Sequence, residues 1–338
     1  MRNYGVEILR MVLCFWVVLF HFLRESDNNF IHNIKKKMFH VPSFFFISFY
    51  FLFPIIKDKN IKKMKIRLER ISIPYFVWPI ITWIINYIFF TSFGKSIIFS
   101  QYVSLVLLKK QLIIGRIFFV QFWFLFNLLF FTIGFFIMSL LLNTKTFLII
   151  NQFIAVLSYI LQYSKYNYFF FDNYKDCISH SIGHFVESFP IAITAFIFNN
   201  FDFINKFKER KNFVFFYCFI FNFFIYKYCV FMDIEKYGKT YNYNGFDKNF
   251  FSFCSFTAFY LIPIEKIQIT QIKRIINLIT NYTQGIYCIH PIIISYSIKI
   301  FHTKRNFKGC IIVYILSYLV SFLGKKICCN TKLKFLFI

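Results

Sequence analysis

Charge is scarce in this chain of 338 residues: 16% of positions are charged, against 58% hydrophobic. That balance excludes an ordinary soluble domain of this length. Acidic residues are scarcer still, 14 against 39 Lys and Arg, for a formal net charge of +25. The alternating ten-residue pattern of an outer-membrane barrel is missing. No internal repeat and no soluble domain stand out. Nine cysteines are present, but they are scattered and show no metal-ligand spacing. The first apolar run lacks a small-residue cleavage site and holds an Arg and a Trp, which argues against a signal peptide.

What is abundant is apolar and aromatic. Runs of about twenty apolar residues recur, each long enough to cross a hydrocarbon core of roughly 30 Å. They predict an all-α, polytopic transmembrane helical bundle of about ten spans, near 5–23, 38–56, 71–91, 117–142, 146–163, 182–200, 212–231, 249–264, 280–301 and 309–324. A shorter apolar stretch, 98–108, is read as an interfacial helix or part of a further span. The 56 Phe and 22 Tyr go with ten Gly and seven Pro. Residues with AT-rich codons dominate, so Phe is read as a generic lipid-facing residue and not as a ligand cage.

The basic residues are split among short loops, which argues against nucleic acid as a partner and for an anionic membrane surface. The loop 57–70 holds seven basic residues against two acidic. With 205–211, 265–274 and the basic tail 325–338, it places both termini in the cytoplasm by the positive-inside rule. A multi-pass protein of the plasma (inner) membrane is expected. Lys35, Lys36, Lys37, Lys304, Arg305 and Lys308 fall on the opposite side in this arrangement. Cys328 and Cys329 in the tail are either lipidation sites or ordinary tail residues.

Ionisable residues inside spans carry the functional argument. Arg10 and His21 are eleven positions apart in the first span. At 100° per residue they lie roughly 20° apart around the axis and about 16 Å apart along it, on one face. Glu7 is placed to pair with Arg10 at i,i+3. Each residue alone has a bland reading: Arg10 as an anchor snorkelling to headgroups, His21 as a hydrogen-bonded interface residue. Together they predict a helix face lining a polar path across the membrane.

The chain resembles the acyltransferase-3 family of integral membrane acyltransferases, which includes O-acetylases of bacterial surface polysaccharides. The resemblance rests on "YGVEILRMVLCFWVVLFHF" with its Arg, ten residues, then His; on "HVPSFFFISFYFLF"; and on "RLERISIPYFVW", which carries Arg67-x-x-Arg70 before Pro74, Tyr75 and Trp78. "FWFLFNLL" (122–129) and "GIYCIHP" (285–291) are similar to later family segments. It covers nearly the whole chain as one membrane-embedded domain, about 5–325. The family usually has Ser-Gly where this chain has Ser48-Phe49.

That resemblance implies transfer of an acyl group, commonly acetyl, from cytoplasmic acyl-CoA to a hydroxyl of a glycan or glycolipid, with no metal. A hydroxyl attacking a thioester needs a base, and a neutral imidazole suits the task; His21 is the candidate. Arg67 and Arg70, one turn apart, are candidates to hold the donor's phosphates, or serve only to enforce topology. Arg10 is the candidate for the thioester region or the path's entrance. Glu187, at i,i+3 from His184, is read either as a structural pair or as a group that orients a histidine or binds an acceptor hydroxyl. His290 precedes Pro291 and is expected to hydrogen-bond carbonyls freed by the proline. Trp78, Trp123 and Tyr287 are read as packing or interface residues. Two other readings compete: a transporter or lipid-linked glycan flippase, for which inverted repeats and broken helices are not seen, and a silent family member, suggested by Phe49.

Overall fold

The computed structural model describes residues 3–23, 40–93, 122–163, 177–201, 246–262, 270–299 and 302–337. Among these there are ten α-helices, one 3₁₀ turn and no strand. In chain order they are α1 (Tyr4–Phe22), α2 (His40–Lys57), α3 (Ile61–Phe93), α4 (Phe122–Leu141), α5 (Thr144–Tyr163), α6 (Cys177–Asn200), α7 (Phe246–Leu261), α8 (Thr270–Thr280), α9 (Thr283–Lys299) and α10 (Phe307–Ile327). The 3₁₀ turn is Lys332–Leu336. Six helices, α1 to α5 and α10, contain a stretch long and apolar enough to cross a membrane. The expected span at 212–231 and the shorter apolar stretch 98–108 lie outside the described residues.

Apolar residues on every side of a helix mean burial in protein, lipid or both. Two thirds of α2 is buried inside the bundle, against 28% for the spans of α5 and α10. Hence α2 is the central helix, packed by α1, α4, α6 and α7, and its Phe45, Phe46, Phe49 and Phe53 are fully buried. The side chains of Leu141, Phe153 and Ile160 face outward instead, in keeping with a lipid-facing surface. A close approach is built at Gly5, where a Cβ would run into the Phe259 carbonyl, so α1 lies against the backbone of α7.

Three boundaries differ from those read in the sequence. The third span was placed at 71–91, but α3 begins at Ile61, so Arg67 and Arg70 stand on its first turns. Residues 270–299 form two helices broken at Asn281-Tyr282, and α8 is a separate amphipathic helix exposing Ile272, Ile275 and Leu278. The basic tail does not hang free: the 3₁₀ turn folds back onto α3, with Phe335 and Leu336 buried.

Prolines inside helices free carbonyls four residues earlier, and side-chain amides from other helices take them up. Pro54 removes the partner of the Tyr50 carbonyl, and Asn199 of α6 donates to it at 3.1 Å. Pro74 does the same to the Arg70 carbonyl, and Gln284 of α9 donates to it at 2.8 Å.

Candidate functional site

Helix α1 carries Arg10 and His21 toward one neighbour. Asn3 caps it, accepting from the Val6 amide at 3.0 Å, and its own amide donates to the Tyr260 carbonyl at 2.9 Å. One turn on, Arg10 pairs with Glu7 at 3.4 Å and donates to the Thr283 hydroxyl of α9 at 3.2 Å. At the other end, the His21 ring lies 5.2 Å from the ring of His290, also on α9. Both ends of the predicted face therefore meet α9. Between them the helix buries Cys14, Val17 and Val18, and the Cys14 thiol faces the Thr283 carbonyl at 3.5 Å. The α1–α9 seam is thus packed along its middle.

The two histidines differ in access. His21 is half-buried, while His290 is fully buried. The Nδ1 of His290 is 3.1 Å from the Ile286 carbonyl. A carbonyl only accepts, so Nδ1 carries the proton and Nε2 presents a bare lone pair. That Nε2 is buried with no hydrogen-bond partner among the described residues. The bond goes to Ile286, and the ring also bonds the backbone of Tyr287, whose carbonyl Pro291 frees. His40, buried at the start of α2, joins this end through Phe20, whose ring is 5.1 Å from His21 and 5.5 Å from His40.

Basic residues gather at the Arg10 end. Arg67 is half-buried and donates to the Ser48 carbonyl of α2 at 2.8 Å. Arg70 is exposed, with its guanidinium 5.8 Å from the centre of the Phe335 ring. Lys332 bonds Glu69 at 2.6 Å, and Lys325 lies 4.9 Å over the Tyr282 ring. The N-terminal ends of α1, α3 and α9, the C-terminal end of α10 and the tail thus share one end of the bundle. Arg305 stands at the opposite end, donating to the Phe22 carbonyl at 3.1 Å.

Glu187 and His184 pair at 3.1 Å, both almost wholly buried. The His184 ring stacks on Trp123 of α4, with centroids 3.9 Å apart. This pair lies between α4 and α6. Phe49 stacks on Phe45 and packs edge-on against Phe131, Phe135 and Phe196. Its ring fills the α2–α4–α6 contact. Among the described residues, no three His, Cys, Asp or Glu side chains are grouped to hold a metal ion.

The structure therefore brings Arg10, His21 and His290 to one helix pair, and Arg67 and Arg70 to the end where Arg10 lies. His184 and Glu187 pair at the α4–α6 contact. Sequence reasoning did not single out Thr283, Gln284 or His40. For His40 the signal was present, a histidine opening an apolar run; for Thr283 and Gln284 it was not, since their role depends on α9 lying beside α1 and α3. Trp123 was read as packing and proves to be the platform of a buried histidine.

Compared with known protein families, the chain matches the acyltransferase-3 model, described as an acyltransferase domain, over residues 3–325. No curated protein and no solved structure matches it.

Proposed function

The chain belongs to the acyltransferase-3 family, and from that premise we propose that it is an integral membrane O-acyltransferase, moving an acetyl group from cytoplasmic acyl-CoA to a hydroxyl of a glycan or glycolipid. The protein is an acyltransferase-family member with several membrane-type helices. The donor, the acceptor and the residue roles are the proposal. The observation that carries it is the placement of Arg10 and His21 against the same helix, α9, at opposite ends of α1.

In this reading the segment of about 5–325 works as one membrane-embedded domain. The basic end faces the cytoplasm, with both termini, in a plasma (inner) membrane. Arg67 and Arg70 hold the donor's phosphates, Arg70 from an exposed position and Arg67 while tied to Ser48. Arg10 orders the donor's entrance at the mouth of the α1–α9 seam, holding the pantetheine arm so that the thioester extends toward His21. His21 takes the proton of the acceptor hydroxyl as the oxygen–acyl bond forms and the carbon–sulfur bond breaks; the departing thiolate then takes a proton to leave as the thiol. The half-exposure of His21 supports this role, because an acceptor must reach it. Glu187 supports His184 structurally on this reading.

The test supplies labelled acetyl-CoA to native membranes containing wild type, Arg10→Ala or His21→Ala, and follows label into glycan and glycolipid fractions. Label only with wild type, all three proteins being inserted in equal amount, is the expected result. Equal label with His21→Ala removes His21 as the base. No label with wild type removes acetyl-CoA as the donor.

A further inference from the structure

The loop between α9 and α10 gathers positive charge at the His21 end of α1. Resting on the acyltransferase reading above, we propose that Lys304 and Lys308 form a docking surface for an anionic acceptor: the hydroxyl that is acylated belongs to a glycan or glycolipid carrying phosphate or carboxylate groups.

The sequence holds no Asp or Glu after Glu265, so no neighbour in the chain offsets Lys304, Arg305 or Lys308. Arg305 has a structural task. It donates to the Phe22 carbonyl at 3.1 Å, at the C-terminal end of α1, where a cation is favourable. Lys304 and Lys308 are both exposed, and among the described residues no carboxylate pairs with either. Lys308 stands in the first turn of α10, which holds no acidic residue, and a cation there opposes the helix dipole. Both lysines also lie at the end of the bundle opposite the basic, cytoplasmic one, where Lys and Arg are disfavoured. A bound anion offsets both costs.

The backbone fixes where these charges sit. The Thr303 amide donates to the Ser297 carbonyl of α9 at 2.8 Å, and the Asn306 amide donates to the Lys304 carbonyl at 2.9 Å. Asn306 caps α10, accepting from the Gly309 amide at 2.8 Å. A Cβ at Gly309 would run into the Lys304 carbonyl and come within 2.8 Å of the Phe22 ring, so the start of α10 lies against the residue that follows His21. Arg305 fastens the loop to that same residue. The lysine backbones are thus held in place, and a surface of this kind binds without first ordering a loop. An ammonium on a flexible stem suits the anionic oxygens of a long, variable chain, where a planar guanidinium would select one bidentate geometry. The attraction acts over a Debye length of about 8 Å at physiological salt, which makes it a local trap at the His21 end of α1.

Native membranes containing the full chain are supplied with saturating labelled acetyl-CoA. The products are divided by solvent extraction into lipid-linked and free glycan, and each by anion exchange into retained and unretained material. The retained material should carry the label. In the solvent phase it identifies the phosphate of a lipid-linked glycan as the anion; in the aqueous phase it identifies acidic groups of the glycan itself. The double variant Lys304→Gln/Lys308→Gln should label that material roughly three- to tenfold more slowly at low ionic strength. Its KM for acetyl-CoA should match wild type, because the donor enters at the other end of α1. Lys304→Arg/Lys308→Arg should restore the rate, and about 0.5 M salt should bring wild type down to the glutamine variant. Label in unretained material, or equal rates for wild type and the glutamine variant at low salt, overturns the docking surface while the acyltransferase reading stands. Equal slowing of retained and unretained products would mean that the loop contacts the bilayer surface, and overturns it too. If the glutamine variant inserts poorly, the salt response decides: a wild-type rate unchanged by about 0.5 M salt overturns the proposal. No label with wild type removes the acyltransferase reading and the docking surface with it.

Discussion

The Arg67 guanidinium donates to the Ser48 carbonyl across the α2–α3 contact at 2.8 Å. The arginine expected to hold a phosphate is thus also a bolt on the central helix, one residue before the fully buried Phe49. Arg70, one turn on, is exposed, with its guanidinium 5.8 Å from the centre of the Phe335 ring.

The two arginines should therefore separate in a stability assay. Arg67→Ala loses a bond from a charged donor, about 1.5–3 kcal/mol, and should lower the melting midpoint in detergent as well as raise the KM for acyl-CoA. Arg70→Ala should raise that KM several-fold at an unchanged midpoint, because an exposed cation–π contact contributes only about 0.5–1 kcal/mol. Equal midpoints for both variants would show that the Ser48 bond contributes nothing.

The Asn199 amide and the Tyr50 carbonyl form a pair whose worth depends on Pro54. Asn199→Ala should cost about 1 kcal/mol in the native background. In a Pro54→Ala background the Tyr50 carbonyl regains a helical N–H, and the same substitution should cost much less. A double-mutant cycle in thermal or denaturant unfolding reads the difference directly. Additive effects would mean that the proline and the amide act independently.

The helical class and the basic end were legible because apolar run length and Lys/Arg placement are local properties of the chain. The shared face of Arg10 and His21 was legible for the same reason, since eleven residues bring a helix back almost to the same azimuth. What α1 would face was not. Thr283 and His290 lie more than 260 positions further on, and only the packing of α9 beside α1 joins them. The start of α3 was misplaced because "KDKNIKKMKIRLER" is polar; a helix end that leaves the apolar core loses its hydropathy signal while keeping good helix formers. The fold-back of the tail was hidden likewise, because five residues of mixed polarity do not announce a docking site.

His184 and Glu187 form a buried pair on a Trp123 platform at the α4–α6 contact. Glu187→Gln should lower stability by about 1 kcal/mol, the usual worth of a polar contact between membrane-embedded groups. Its acyl-transfer rate should stay within about threefold of wild type. A loss comparable to that of His21→Ala, at an intact melting midpoint, would instead make the pair part of the reaction site.

The tail is held by three different contacts, and they predict coupling. Trp78 donates its indole N–H to the Leu336 carbonyl at 3.1 Å, and Lys332 pairs with Glu69 at 2.6 Å. The third contact is steric. A Cβ at Gly285 would come within 2.9 Å of the Phe337 backbone and 2.8 Å of the Ser321 hydroxyl. A side-chain hydroxyl turns aside, but a backbone does not, so Gly285→Ala has to push the tail off α9. Removing the chain from Lys332 onward removes the same obstacle. Gly285→Ala should therefore destabilise the full-length protein and have little effect on the truncated one. Both changes should alter the KM for acyl-CoA by a similar factor, because Arg70 loses its Phe335 neighbour either way. The exposed Lys332–Glu69 pair should matter least, as surface ion pairs are screened by solvent. If Gly285→Ala destabilises the truncated protein as strongly as the full chain, its effect lies within the helix and not at the tail.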